Sequence, residues 1–137
     1  MPRDTAPDIE PGDGFTVRFE PRVDYLAAHV VDGVRSPAVR RGFWTAIAAR
    51  AKRQGVRRLM VVEALDGDPA DEAELLELLP WIASLGVQHV RIAFVIRGDH
   101  LLSKLELSEI LAREHGFEGR VFIDPTAAEL WLRYGAT

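Results

Sequence analysis

The sequence contains no cysteine, which excludes disulfides, thiolate metal sites and a cysteine nucleophile. No stretch approaches the ~20 consecutive apolar residues that a membrane-spanning helix needs. The longest uncharged run lies near Leu78–Gln88, and Pro80 interrupts it. The first residues also lack the apolar segment of a secretory signal peptide. These absences together predict a cytoplasmic protein without a membrane span.

An excess of basic residues is also missing, because 17 lysines and arginines stand against 21 aspartates and glutamates. A general nucleic-acid binder normally carries a basic face, so we expect no nucleic acid among the partners. The charges are unevenly placed along the chain, however. Residues 35–58 contain eight basic residues and no acid, and residues 63–77 contain seven acids and no basic residue.

Two arginines in the basic stretch lack a local explanation. Arg40 and Arg41 lie near the start of a predicted helix, where the helix dipole does not favour positive charge. A surface with two opposed charge patches steers a complementary partner towards itself. We therefore predict that Arg40 and Arg41 contact an acidic protein partner or a second copy of the chain.

Residues 1–14 offer almost nothing to bury, since they include three prolines, two glycines and four acidic residues. They are predicted to form a disordered N-terminal tail. The remaining segment, residues 15–135, has the length of one domain with a core of its own.

Hydrophobic periodicity divides this segment into nine elements. Apolar runs predict five strands, at residues 15–20, 25–32, 57–63, 90–97 and 120–124. Apolar stripes and capping residues predict four helices, at residues 37–54, 71–85, 103–116 and from 125 onwards. Pro80 is expected to kink or split the second helix. The order β-β-α-β-α-β-α-β-α predicts an α/β domain with a mixed five-stranded sheet, because strands separated by helices form parallel crossovers.

Several segments of this pattern carry a family resemblance, namely Tyr25–Gly33, Phe43-Trp44, Arg91–Val95, Arg120–Asp124 and Ala128–Leu132. Over residues 15–135 the chain resembles the STAS superfamily, in particular its uncharacterised STAS-like or CRAL-TRIO-like bacterial single-domain proteins. The resemblance implies a STAS-like fold and a non-catalytic regulatory or protein-interaction domain. Relatives that act as anti-sigma-factor antagonists are phosphorylated on a hydroxyl after the third strand. The corresponding residues 64–74 contain no serine or threonine, so we expect no phosphorylation site.

Polar residues follow several predicted strands, and ligands of α/β sheets bind at the carboxyl ends of strands. The candidate ligand-binding residues chosen on this basis are Arg35, Glu63, Asp66, Arg97, Asp99 and His100. Acid–base catalysis by His100 would require nearby carboxylates to converge on it. The sequence contains no phosphate-loop or nucleophile-elbow motif, and its histidines lack metal-ligand spacing. We therefore expect no catalytic residue, metal or cofactor, and a protein that is not an enzyme.

One face of the predicted sheet is lined by small apolar residues that need a cover, namely Ala27, Val31, Met60, Val62, Ala93 and Val95. A helix of the same domain, a partner chain or a bound apolar ligand would each provide one. The last alternative corresponds to a carrier or sensor of a lipid or other small apolar ligand. Its pocket would lie between helices at Phe43, Trp44, Leu79 and Trp81, or near the strand ends.

Overall fold

The computed structural model describes residues 8–68, 70–96, 113, 114, 116 and 118–135. These residues contain six strands and three complete helices: β1 (Ile9–Gly12), β2 (Phe15–Pro21), β3 (Leu26–Val31), α1 (Pro37–Gln54), β4 (Arg58–Glu63), α2 (Glu72–Ala83), β5 (Arg91–Ile96), β6 (Glu118–Phe122) and α3 (Pro125–Tyr134). The six strands form one sheet in chain order. β1, β2 and β3 pair antiparallel, whereas β3 to β6 pair parallel. The prediction of an α/β domain with a mixed sheet is confirmed.

The sheet has one strand more than expected, because Ile9–Gly12 pairs with β2. The prediction of disorder up to residue 14 is therefore wrong for this segment. Arg50 on α1 attracts this segment, since its guanidinium lies 3.3 Å from the Asp8 carboxylate and 3.7 Å from the Glu10 carboxylate. Pro11 is tolerated because β1 is an edge strand, where one backbone donor can be absent.

The helix count also differs from the expected four, since three complete helices lie within the described residues. The additional helix was predicted at residues 103–116, most of which lie outside the described ranges. The last strand begins and ends two residues earlier than predicted, at Glu118 and Phe122. α2 continues past Pro80 to Ala83, so the proline does not split the helix.

Local signals set the ends of α1. The Ser36 hydroxyl accepts a hydrogen bond from the Val39 amide at 3.1 Å, and Pro37 occupies the first turn. Gly55 ends the helix with φ 65°, a left-handed conformation that glycine adopts without steric cost. Between these ends Phe43 and Ile47 are fully buried against the sheet.

The main core lies between the sheet and the pair α1 and α2. Phe43, Trp44 and Leu79 belong to this core, so they do not line the interhelical pocket that the carrier alternative places there. The Trp44 ring stacks on Phe94 at 6.0 Å between ring centroids.

The opposite face of the sheet is covered by α3, which packs on β4, β5 and β6. Trp131 and Leu132 form a second cluster with Ala27, Met60 and Ala93, and Val62 and Val95 join it. Small side chains on the strands leave room for the large Trp131 ring. The cover for these positions is thus a helix of the same chain, the first of the three alternatives; Val31 lies outside the cluster.

Candidate functional site

We call the edge where the parallel strands β3 to β6 end the carboxyl edge. Three of the predicted site residues meet there: Arg35, Glu63 and Asp66. Arg35 Nε donates to the Glu63 carboxylate, Arg35 Nη1 donates to the Gly67 carbonyl at 2.6 Å, and the Arg35 amide donates to the Asp66 carbonyl at 2.7 Å. Asp66 therefore takes part through its backbone. Arg97, Asp99 and His100 lie outside the described residues.

Arg35 and Glu63 form a buried ion pair, with side-chain exposures of 9% and 3%. The two charges neutralise each other, and removing either one would leave its partner buried without compensation. Because Arg35 follows β3 and Glu63 ends β4, the pair ties two connections of the carboxyl edge together. This geometry gives the pair a positioning role.

Arg40 is not available to a partner protein, which corrects the prediction for this residue. It is buried and forms two hydrogen bonds with the Glu74 carboxylate on α2, of which the Nη2–Oε1 bond measures 2.7 Å. Arg41, the next residue, is exposed and lies over the Trp81 ring at 5.0 Å from its centroid. Part of the basic stretch is therefore used to hold α1 against α2.

An exposed apolar side chain stands among carboxylates at the carboxyl edge. Val34 is 62% exposed, and its backbone bridges to Asp66 in the neighbouring connection. Asp32, Asp66 and Asp68 are exposed and form no ion pair with any residue that the structure describes. We call Val34 and these three aspartates the Val34 surface. It combines one exposed apolar side chain with three exposed aspartates of the two adjoining connections.

The opposite edge, where β3 to β6 begin, is the amino edge, and it contains an open cleft of about 580 Å³. The cleft is bounded by the β2–β3 turn, the α1–β4 and α2–β5 connections and the start of β6. Tyr25 lies in its wall and donates a hydrogen bond to Glu129 at 2.9 Å. Burial raises the pKa of the Tyr25 phenol, and the Glu129 carboxylate raises it further, so the phenol keeps the proton that it donates to a higher pH than an exposed tyrosine would.

The cleft is lined by more positive than negative charge. Four of its charged members form ion pairs: Arg22 with Glu20, Asp24 with Arg133, and Arg91 and Glu118 with each other. Its three other basic members, Arg57, Arg58 and His89, form no ion pair with a described residue. Sequence reasoning missed this site because ligand sites of α/β sheets are sought at the carboxyl ends of strands. One feature of the sequence could have indicated it: two successive strands, β4 and β5, each begin with an arginine.

A histidine and a carboxylate meet on the antiparallel part of the sheet. His29 Nε2 lies 3.2 Å from the Glu20 carboxylate, which also accepts a hydrogen bond from Arg22 Nη1 at 3.1 Å. The hydrogen bond to His29 is the main cause that lowers the pKa of Glu20, and the charge of Arg22 adds to it. The pair is far along the sheet from the Val34 surface, since Glu20 lies near the amino edge.

The described ranges contain no group of three or more histidines and carboxylates arranged to hold a metal ion. Among the helices of the same ranges, none combines the length and the apolar character required to cross a bilayer.

Comparisons with known proteins assign no family to this architecture. The chain matches no protein-family model, no curated protein and no solved structure at a significant level. The STAS resemblance of the sequence therefore stays a prediction, and the function has to be argued from the geometry of the two edges.

Proposed function

We propose that the chain is a cytoplasmic, non-catalytic regulatory or protein-interaction domain of STAS-like fold. It binds a partner protein through the Val34 surface. The main support is the way Arg35 joins the β3–α1 and β4–α2 connections. These connections hold Val34 exposed, and their aspartates form no ion pair with a described residue. The partner presents an apolar pocket for Val34 surrounded by lysine or arginine side chains.

The Val34 surface is organised before any partner arrives. The Arg35 amide and side chain hold both the Asp66 and Gly67 carbonyls, and the Asp66 amide bonds the Gly33 carbonyl at 3.3 Å. A binding surface with a fixed backbone loses little conformational entropy on association, so more of the contact energy remains as affinity. The carboxylates around Val34 add selectivity and speed of association with a basic partner.

A non-catalytic role agrees with the use of the charged groups at the carboxyl edge. Glu63 and Arg35 bind each other, and Arg40 binds Glu74, so these four side chains have structural partners. The alternative of an apolar-ligand carrier has less support, because the amino-edge cleft is lined by arginines and the residues predicted to line an interhelical pocket are mostly in the core.

The test compares two equivalent substitutions at opposite edges. Val34→Lys places a positive charge in the centre of the Val34 surface and should repel a basic partner. Val23→Lys is the matched control, since Val23 is 96% exposed on the β2–β3 turn at the other edge. The tagged protein is expressed at native level in its own host, and co-purified proteins are identified and reassembled from purified components.

We expect the unaltered chain and Val23→Lys to bind the same partner with equal affinity, and Val34→Lys to bind it at least tenfold more weakly. A partner that binds Val34→Lys as tightly as the control contradicts the proposal. A chain that purifies without any stoichiometric partner contradicts it as well.

A further inference from the structure

The amino-edge cleft has the dimensions of a small-molecule site. Its volume of about 580 Å³ lies within the roughly 300–1,000 Å³ that ligand pockets usually enclose. Its walls come from three connections and the first residue of β6, and two of its arginines are the first residues of strands. Groups at strand ends are held more firmly than groups at loop tips, which favours a defined ligand geometry.

Two of the cleft arginines lie side by side. Arg58 begins β4, Arg91 begins β5, and the two are direct partners in the parallel register. Their side chains therefore start from the same face of the sheet, the face that also carries Met60 and Ala93. Like charges at neighbouring positions of adjacent strands are destabilising. Glu118 lies 3.1 Å from Arg91, and Arg58 forms no ion pair with a described residue.

Arg91 is already held in place. Its Nε donates to Glu118, its Nη1 donates to the Trp131 carbonyl at 3.3 Å, and its guanidinium lies over the Trp131 ring at 5.2 Å. A guanidinium fixed in this way presents its remaining donors in a constant direction. Planar guanidinium groups bind phosphate oxygens through paired hydrogen bonds. An oxyanion bound by Arg58 and Arg91 would give Arg58 the counter-charge that it lacks among the described residues.

The surplus of positive charge extends to the rim of the cleft. Arg57 and His89 are exposed there and have no ion pair with a described residue. The negative end of α1 also points to this edge, but Lys52 and Arg53 in its last turn already complement it. Arg57 and Arg58 are therefore not required to balance the helix dipole.

We propose that the amino-edge cleft binds a small phosphorylated molecule, with Arg58 and Arg91 on the phosphate group and with Arg57 and His89 at the rim. A phosphate monoester has a charge of about −1.5 to −2 at neutral pH, which suits two adjacent guanidinium groups better than the single charge of a carboxylate. This site goes beyond the proposed protein contact and lies at the opposite edge from it.

The test uses pyrophosphate as the probe, titrated into the full chain at low ionic strength and followed by calorimetry. Arg58→Gln removes one of the two inner guanidinium groups. Arg53→Gln is the matched control, because it removes one positive charge from an exposed position at the same edge outside the cleft. We expect Arg58→Gln to weaken binding at least tenfold and Arg53→Gln to weaken it less than twofold. Arg57→Gln, at an exposed position, should weaken binding by an intermediate factor.

Absence of saturable pyrophosphate binding overturns the proposal. Equal weakening by Arg58→Gln and Arg53→Gln overturns it too, since it would mean general attraction to positive charge. Citrate is titrated in parallel, and citrate binding as tight as that of pyrophosphate overturns the assignment to phosphate. Val34→Lys should bind pyrophosphate normally, so failure of the partner proposal and failure of this one are distinguishable.

Discussion

Neighbouring residues of one helix have separate tasks in this protein. Arg40 and Arg41 are adjacent in the sequence, but successive residues of a helix point in different directions around its axis. Arg40 is buried against Glu74, whereas Arg41 lies exposed over Trp81. A buried charge depends on its partner, and an exposed cation over an aromatic ring contributes little.

This difference leads to a prediction about charge reversal. Arg40→Glu would place two carboxylates together in a buried site, and we expect it to lower the free energy of unfolding by about 3 kcal/mol. Arg41→Glu should lower it by less than about 1 kcal/mol, because the lost contact is exposed. Urea unfolding followed by circular dichroism measures both values. Equal stability of the two variants would show that the Arg40–Glu74 pair does not stabilise the fold.

At the scale of elements, close packing joins the β1–β2 turn to the connection between β3 and α1. A Cβ atom added to Gly33 would overlap the carbonyl oxygen of Gly14. Because the obstacle is backbone, it cannot move aside as a flexible side chain could. The absence of a side chain at Gly33 thus allows β1 to continue into β2 beside the carboxyl edge.

We therefore predict that Gly33→Ala lowers the free energy of unfolding by more than about 2 kcal/mol, since one of the two segments must shift. Gly55→Ala is the comparison, because Gly55 has φ 65° but nothing within 4 Å of an added Cβ. It should cost about 1 kcal/mol, the strain of a left-handed alanine. Thermal and urea unfolding report both values, and a Gly33→Ala variant as stable as Gly55→Ala contradicts the packing argument.

Most elements could be predicted because their signals are local. Ser36, Pro37 and Gly55 mark the ends of α1 within the sequence itself, and Asp71 accepts from the Glu74 amide at the start of α2. β1 also had a local signal, since Gly12 pairs with Phe15 across the two-residue turn Asp13-Gly14, a sequence typical of hairpins. The prolines and acidic residues of this segment favoured disorder instead. The contact of β1 with Arg50 on α1 is long-range, and periodicity does not encode it.

At the scale of the whole molecule, folding separates the two charged stretches of the sequence and pairs part of their charge. The basic stretch and the acidic stretch are close in sequence, yet Arg57 and Arg58 lie at the amino edge, whereas Asp66 and Asp68 follow β4 at the carboxyl edge. β4 joins the two edges, and a strand of its length spans about 20 Å. Arg35, Arg40 and Arg50 are already paired with described acids, so the opposed patches are smaller than the sequence implies.

The N-terminal segment also has a role at this scale, which yields a prediction about truncation. Removal of residues 1–12 would delete β1, expose the edge of β2 and leave Arg50 without Asp8 and Glu10. We expect a loss of about 2 kcal/mol in the free energy of unfolding, together with concentration-dependent association through the uncovered strand.

Removal of residues 1–7 is the control, because it deletes no contact that the structure describes. Urea unfolding and light scattering compare the two truncations. If the longer truncation is as stable and as monomeric as the shorter one, β1 does not contribute to the fold.

The sequence by itself determined the α/β class, the parallel crossovers and the ends of α1, because the signals for each are local. Only the tertiary structure decided that α3 covers the second face, that Arg40 is buried, and that Arg58 and Arg91 stand side by side. These facts depend on which distant segments pack together, and hydrophobic periodicity reports only the local structure of each segment.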